Sequence, residues 1–269
     1  MKTQAILFII AIMALTACTS AKKDYDIIVY GGTSAGVIAA YSADAEGKKV
    51  LLVEPGRHLG GLSSGGLGQT DIGNKHAVTG LSREFYRRLG AHYDKPEAWQ
   101  FEPHAAEMMF LRFIAESNVE VLYDHRITGA EVRRKKITRI NLERSSDPES
   151  EKMAVSAEFF IDCSYEGDLM AHAAVSYTVG RESNDTYGET WNGVQMLDQH
   201  QFPDNIDPFI IPGDPSSGLC WGIQDRQLAE KGSGDHLVQA YNYRLCITQD
   251  TGNMVRFTMP DNYDPATYE

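Results

Sequence analysis

The chain has 269 residues, with 37 Asp and Glu against 25 Lys and Arg and a formal net charge of −12. So acidic a protein repels phosphate backbones and is not expected to bind nucleic acid, and the length allows one large domain or two smaller ones. Cysteine occurs four times with no CxxC spacing, so zinc and iron–sulfur centres find no support and no metal site is expected.

In chain order, Lys2 precedes an apolar run from Ala5 to Leu15 that is too short to span a bilayer and has the length of a signal-peptide core. The next residues, Leu15-Thr16-Ala17-Cys18, resemble the lipobox of bacterial lipoproteins. That resemblance implies cleavage before Cys18, lipidation of Cys18 and a membrane anchor in the bacterial cell envelope, facing the periplasm or the cell surface. An ordinary secreted protein is the alternative. Residues 18–24 then form a linker.

From Tyr25 to Glu54, YDIIVYGGTSAGVIAAYSADAEGKKVLLVE reads as strand, glycine turn, helix and second strand ending in an acid. This order is that of a dinucleotide-binding βαβ unit. The unbroken run Ile27–Tyr30 suits a parallel strand covered on both faces. Gly31 and Gly32 allow close backbone approach, and the helix starting near Ser34 turns its free N–H groups and positive dipole end toward a phosphate. Ala35, Gly36, Ala39, Ala40 and Ala43 keep that helix slim, and Gly47 with Lys48 and Lys49 ends it. Glu54 stands 23 positions after Gly31 (54 minus 31), where this unit places a carboxylate for an adenosine ribose. Of the GxGxxG template only Gly31 and Gly36 match, because Thr33 occupies the second glycine position. A plain strand-helix-strand without cofactor is the competing interpretation.

Pro55 to Gly80 carries eight glycines in 26 residues, a density that would suit a flexible linker. Leu59, Leu62 and Leu67 punctuate it, and it leaves directly from the cofactor strand, which favours a close-fitting backbone cradle. Together, GGTSAG, the strand-end glutamate and RHLGGLSSGGLGQTD resemble the FAD-dependent oxidoreductases of the glutathione-reductase-like superfamily. The most similar branch comprises exported bacterial flavoproteins sometimes labelled xanthan-lyase-like, which are similar to the flavoprotein subunit of heterodisulfide reductases. The resemblance spans most of Tyr25–Glu269. It implies an α/β fold with an FAD/NAD(P)-binding Rossmann-like parallel sheet, a β-meander crossover and the start of a substrate domain. It implies FAD as cofactor, with Gly31, Gly32, Thr33, Ser34, Ala35 and Gly36 at the pyrophosphate, Glu54 at the ribose, and Arg57, Gly60 and Gly61 along the rest of the molecule.

Leu81, Phe85 and Leu89 recur at helical spacing, as do Ala105, Met108, Met109, Leu111 and Ile114, and both stripes are expected in the core. Val119–Tyr123 reads as a strand, followed by a β meander through GAEVRRKKITRINLER and a second β run over Met153–Ile161, with Arg133–Lys136 in a solvated turn. In the family the backbone before such a meander touches the adenine, which points to Ile127. FFIDCSYEGDLMAHAAV repeats the strand-turn-helix logic. The family's register places Asp162, Gly167 and Asp168 at a second cofactor turn, while Asp162 equally suits a simple cap of that turn.

A domain boundary is placed after Gly180, with residues 25–180 as the FAD-binding domain and 181–269 as a partial substrate domain. The latter is irregular, with Trp191, Trp221 and Tyr241–Arg244 as its largest side chains. No carboxylate pair, GxSxG or histidine cluster at ligand spacing appears, so hydrolase and metalloenzyme readings have no residues to stand on. His76, His92, His104, His172 and His200 are scattered, and no catalytic residue is assigned. The expected function is FAD-dependent hydride abstraction from a small molecule, a carbohydrate among the candidates. The alternatives are an NAD-binding dehydrogenase and a non-catalytic envelope lipoprotein that binds glycans. Relatives close the fold with a late strand and Gly-Asp turn that find no match after Gly180, so the chain is expected to be the N-terminal part of a larger flavoenzyme, from a truncated gene model or a disrupted gene.

Overall fold

The computed structural model describes residues 23–197, 205–239 and 244–265. The apolar leader, Cys18, His200 and Tyr241–Tyr243 lie outside the described residues. No helix among the described residues is long and apolar enough to cross a membrane. The chain divides into two compact units, one of Met1–Ser176 with Arg244–Cys246 and one of Tyr177–Tyr243 with Ile247–Glu269. The break falls after Ser176, a few residues before the boundary expected at Gly180.

The first unit is built on a parallel sheet of β1 (Tyr25–Tyr30), β2 (Val50–Val53), β3 (Glu120–Leu122) and β7 (Ala157–Asp162), in the order β3-β2-β1-β7. Ile28 and Tyr30 of β1 face one apolar cluster while Val29 faces another, and Leu51 and Val53 of β2 alternate likewise with Val50 and Leu52. That two-sided burial explains why these strands are continuous apolar runs rather than alternating ones. One face is covered by α1 (Ser34–Ala45), α2 (Gly80–His92) and α3 (Pro103–Ala115). On α3 the buried stripe is Ala105, Ala106, Met109, Phe110 and Phe113, whereas Leu111 is 43% exposed. The expected stripe was right at Ala105 and Met109 and wrong at Leu111, because the approximate periodicity overlooked both phenylalanines. Phe110 stacks on Phe85 with ring centroids 4.6 Å apart, and Phe113 meets Tyr41 edge-on at 5.1 Å. Burying each such ring contributes about 1.5–3 kcal/mol.

The other face is covered by the meander β4 (His125–Arg133), β5 (Lys136–Arg144) and β6 (Met153–Val155). Arg134 and Lys135 turn the β4–β5 hairpin with φ of 50° and 63°, and both are exposed. The single β run expected over Met153–Ile161 is two strands in two sheets, with Ser156 between them. The Ser156 amide and hydroxyl donate to Asp24 Oδ2 at 2.9 and 2.7 Å, and the Tyr25 amide donates to the Ser156 carbonyl at 3.1 Å. These bonds stop the meander and launch β7 beside β1.

The second unit holds the one-turn helix α5 (Asn184–Tyr187) and a hairpin of β8 (Phe209–Ile211) and β9 (Asp214–Leu219). That hairpin corrects the expectation of a wholly irregular region; three-residue β8 is too short to show a pattern. Its principal polar tie is a two-pronged Arg181–Asp235 pair, in which Arg181 Nε donates to Asp235 Oδ1 at 2.9 Å. The Arg181 guanidinium holds the Asp235 carboxyl at about 2, below the ordinary 3.8. A depressed carboxyl stabilises the fold above its unfolded pKa and loses that effect as pH falls through the folded value. Stability of this unit should therefore decline between about pH 4 and pH 2. Acid titrations followed by circular dichroism should show that decline weakened in Asp235→Asn, and an unchanged acid profile would contradict the role of the pair.

Candidate cofactor site

The glycine turn after β1 is pinned from three directions. The Gly31 amide continues the sheet by donating to the Val53 carbonyl at 2.8 Å. The Gly32 amide donates to Glu54 Oε2 at 2.7 Å, and the other oxygen of that carboxylate accepts from the Gly56 amide at 2.6 Å. Thr33, the residue standing where the template has glycine, is buried and caps α1: its Oγ1 accepts from the Gly36 amide at 3.2 Å and donates to the Cys163 carbonyl at 2.9 Å. Ser34 and Ala35 then lead the helix with first-turn amides that have no intrahelical acceptor. Side chains have no room here. A Cβ on Gly31, whose φ is +96°, would lie 2.7 Å from the Ser164 amide nitrogen, and one on Gly36 would lie 1.9 Å from the Gly31 carbonyl oxygen.

The second glycine stretch docks onto the first. The Gly60 amide donates to the Gly32 carbonyl at 2.8 Å, making a parallel bridge between Thr33 and Gly60. Leu59 is fully buried beneath it, and a short 3₁₀ turn, Gly61–Ser63, follows. The Tyr165 hydroxyl accepts from the Leu62 amide at 2.7 Å, closing the cradle from the turn after β7. An open cavity of about 620 Å³ is lined by Glu54, Arg57, His58, Gly61 and His104. A second, about 330 Å³, is lined by Ser34, Ala35, Ser63, Phe85, Tyr86 and Phe110. The charged cavity lies on the Glu54 side and the aromatic one on the side of the helix start.

The structure thus brings together Gly31, Gly32, Thr33, Ser34, Ala35, Gly36, Glu54, Gly60 and Gly61, with Arg57 exposed on the wall of the larger cavity. Asp162 does the work of a cap. Its Oδ1 accepts from the Ser164 amide and hydroxyl at 3.0 and 2.7 Å, and its Oδ2 from the Met170 amide at 2.8 Å, fixing the turn before α4 (Asp168–His172). Gly167, with φ of 71°, and Asp168 sit at the start of that helix. Ile127 differs from the others. Its amide donates to the buried Tyr30 hydroxyl at 3.2 Å and its side chain packs in the meander core. Burial pushes the Tyr30 phenol up to about 12, which keeps it protonated. Burial also raises the Cys163 thiol, leaving it a packing residue beside the glycine turn. Tyr165 joins the cradle from the turn after β7, a contact between distant segments that no local sequence pattern marks.

A parallel βαβ sheet with a meander crossover, a strand-end carboxylate and two interlocked glycine stretches defines a dinucleotide-binding protein of the flavin type. The chain belongs to the FAD dependent oxidoreductase family, whose model matches residues 26–269. No curated protein is a significant match. Among solved structures it is similar to AlpK, with 13% identity over 60% of this chain and 36% of that one and a TM-score of 0.44. Similar too are THI4 from Thermovibrio ammonificans (14% identity, 66% and 74% covered, TM-score 0.45) and the glycerol-3-phosphate dehydrogenase from Bacillus halodurans complexed with FAD (10%, 62% and 42%, 0.44). The chain therefore covers 36% of the length of AlpK and 42% of that of the glycerol-3-phosphate dehydrogenase.

The closeness of the cradle is testable at Gly61, whose φ is +56° and where a Cβ would lie 2.2 Å from the Tyr165 hydroxyl oxygen. Gly61→Ala should lower the unfolding free energy by about 1–2 kcal/mol from backbone strain alone, with a further loss from the clash. In a denaturant double-mutant cycle with Tyr165→Phe, which removes the clashing oxygen, the two changes should be strongly non-additive. Simple additivity would show that Tyr165 does not close the cradle.

Proposed function

We propose that the cradle of Gly31–Gly36, Glu54, Arg57, Gly60 and Gly61 holds FAD, and that the protein is an oxidoreductase acting on a small organic substrate, a carbohydrate among the candidates. The observation that carries this is the docking of Gly60 on Gly32, because an NAD-binding βαβ unit has no need of a second glycine stretch fastened to its first. The two cavities flanking that junction suit an elongated ligand with an anionic middle. The first turn of α1 offers amide donors and the positive end of the helix dipole to a pyrophosphate. Glu54 has lone pairs beyond those engaged by Gly32 and Gly56, and these accept the ribose hydroxyls. Arg57 adds a cation on the same wall. Bound flavin supplies the hydride acceptor, and the protein supplies its position and polarity. Placement in the exported, xanthan-lyase-like branch of the glutathione-reductase-like superfamily is supported by Tyr165-Glu166 in the second turn, and by Leu15–Cys18, which suit a lipid anchor holding the protein at the bacterial envelope.

Release of the bound cofactor from purified protein and its identification by mass should give FAD; NAD, or no nucleotide, would refute the assignment. Glu54→Ala should reduce FAD affinity about tenfold to a hundredfold, the equivalent of about 1.5–3 kcal/mol for a charge-assisted hydrogen bond. Unaltered affinity in a folded variant would remove Glu54 from the site. Cys18→Ala should shift the protein from the membrane to the soluble fraction and abolish labelling by a fatty-acid analogue. Persistent labelling would exclude Cys18 as the anchor.

A further inference from the structure

Outside the glycine cradle, two helices bring three metal-ligating side chains to one point. His92 is the last residue of α2, while Glu102 stands immediately before α3 and His104 lies in its first turn. One ligand atom from each lies within 4.8 Å of the other two. His92 and Glu102 stand ten positions apart in sequence (102 minus 92), on different helices, so no ligand-spacing pattern marks them.

We propose that His92, Glu102 and His104 form a binding site for a divalent transition-metal ion of the zinc class, with water completing its coordination. Two imidazoles and one carboxylate are a donor set that such ions favour, and one that leaves positions open. With metal–ligand bonds of about 2.1 Å, ligand atoms around a tetrahedral ion stand about 3.4 Å apart. The two imidazoles are exposed, and rotation of their side chains closes the remaining gap. The carboxylate, in contrast, is held in place. Tyr93 Oη accepts from the Glu102 amide and donates to Glu102 Oε2, both at 2.9 Å. A carboxylate offers about four lone-pair sites, so accepting hydrogen bonds and ligating a cation are compatible, and hydrogen bonds of this kind orient metal ligands. The backbone leading into Glu102 is also fixed, because the Phe101 amide donates to the Gly68 carbonyl at 2.8 Å. The Tyr93 ring packs edge-on against His92 with centroids 4.8 Å apart. A bound ion would staple the end of α2 to the start of α3, and His104 places it at the rim of the larger cavity.

The test uses tag-free, full-chain protein stripped with a chelator and titrated with zinc chloride by calorimetry, followed by metal analysis after gel filtration. One zinc per chain is expected. His92→Ala and His104→Ala should each weaken binding by at least the tenfold to hundredfold that loss of a mere outer-shell partner costs, while His76→Ala, on an exposed 3₁₀ turn, should leave it unchanged. As a measurement needing no variant, zinc should protect His92 and His104, and not His76, from diethylpyrocarbonate in peptide mass maps. Absence of stoichiometric zinc, undiminished binding in the His92→Ala/His104→Ala protein, or equal modification of all three histidines would overturn the proposal.

Discussion

The attachment of one peptide unit, Gly32, governs the first unit of this protein. Its amide is taken by the Glu54 carboxylate and its carbonyl by the Gly60 amide, while the neighbouring Thr33 reaches across to the Cys163 carbonyl. Three connections that are remote in sequence therefore converge within two residues. Each needs the backbone at a distance that a side chain would obstruct, since Cβ atoms on Gly31, Gly32 or Gly61 would fall within 3 Å of neighbouring atoms. The sheet exists to bring them together: β1, β2 and β7 run parallel, so their carboxyl ends deliver the glycine turn, Glu54 and Cys163 to one edge.

This arrangement shapes the cradle through contacts of the protein itself. Glu54 organises Gly32 and Gly56, and Tyr165 holds Leu62, so the donors and acceptors stand in place ahead of any ligand. Preorganisation of that kind reduces the ordering cost that binding must overcome. It also means that removal of Glu54 loosens the loop it ties to Gly32 and Gly56.

Much of this was legible in the sequence, and for physical reasons. Unbroken apolar runs marked Ile27–Tyr30 and Val50–Val53 as buried parallel strands, and glycine followed by a small-residue helix and a strand-end acid marked the nucleotide edge. What escaped was whatever depends on contacts between distant segments. Thr33 read as a lapse from the glycine template and is in fact the cap of α1 and a tie to Cys163. Asp162 could have been cap or cofactor contact, and its hydrogen bonds to Ser164 and Met170 make it a cap. The switch of sheets at Ser156 turns on Asp24, 132 positions away, and the meeting of His92, Glu102 and His104 turns on how two helices pack. Neither leaves a periodic trace.

The central claim is that FAD lies in the cradle formed by the two interlocked glycine stretches. Amide hydrogen exchange, measured by mass spectrometry with and without added FAD, tests it most directly, because the groups that would meet the cofactor are backbone amides. Slower exchange is expected in Gly31–Gly36 and in Glu54–Ser64 when FAD is present, with the β8–β9 hairpin unchanged. Exchange in both glycine segments indifferent to FAD would contradict the account.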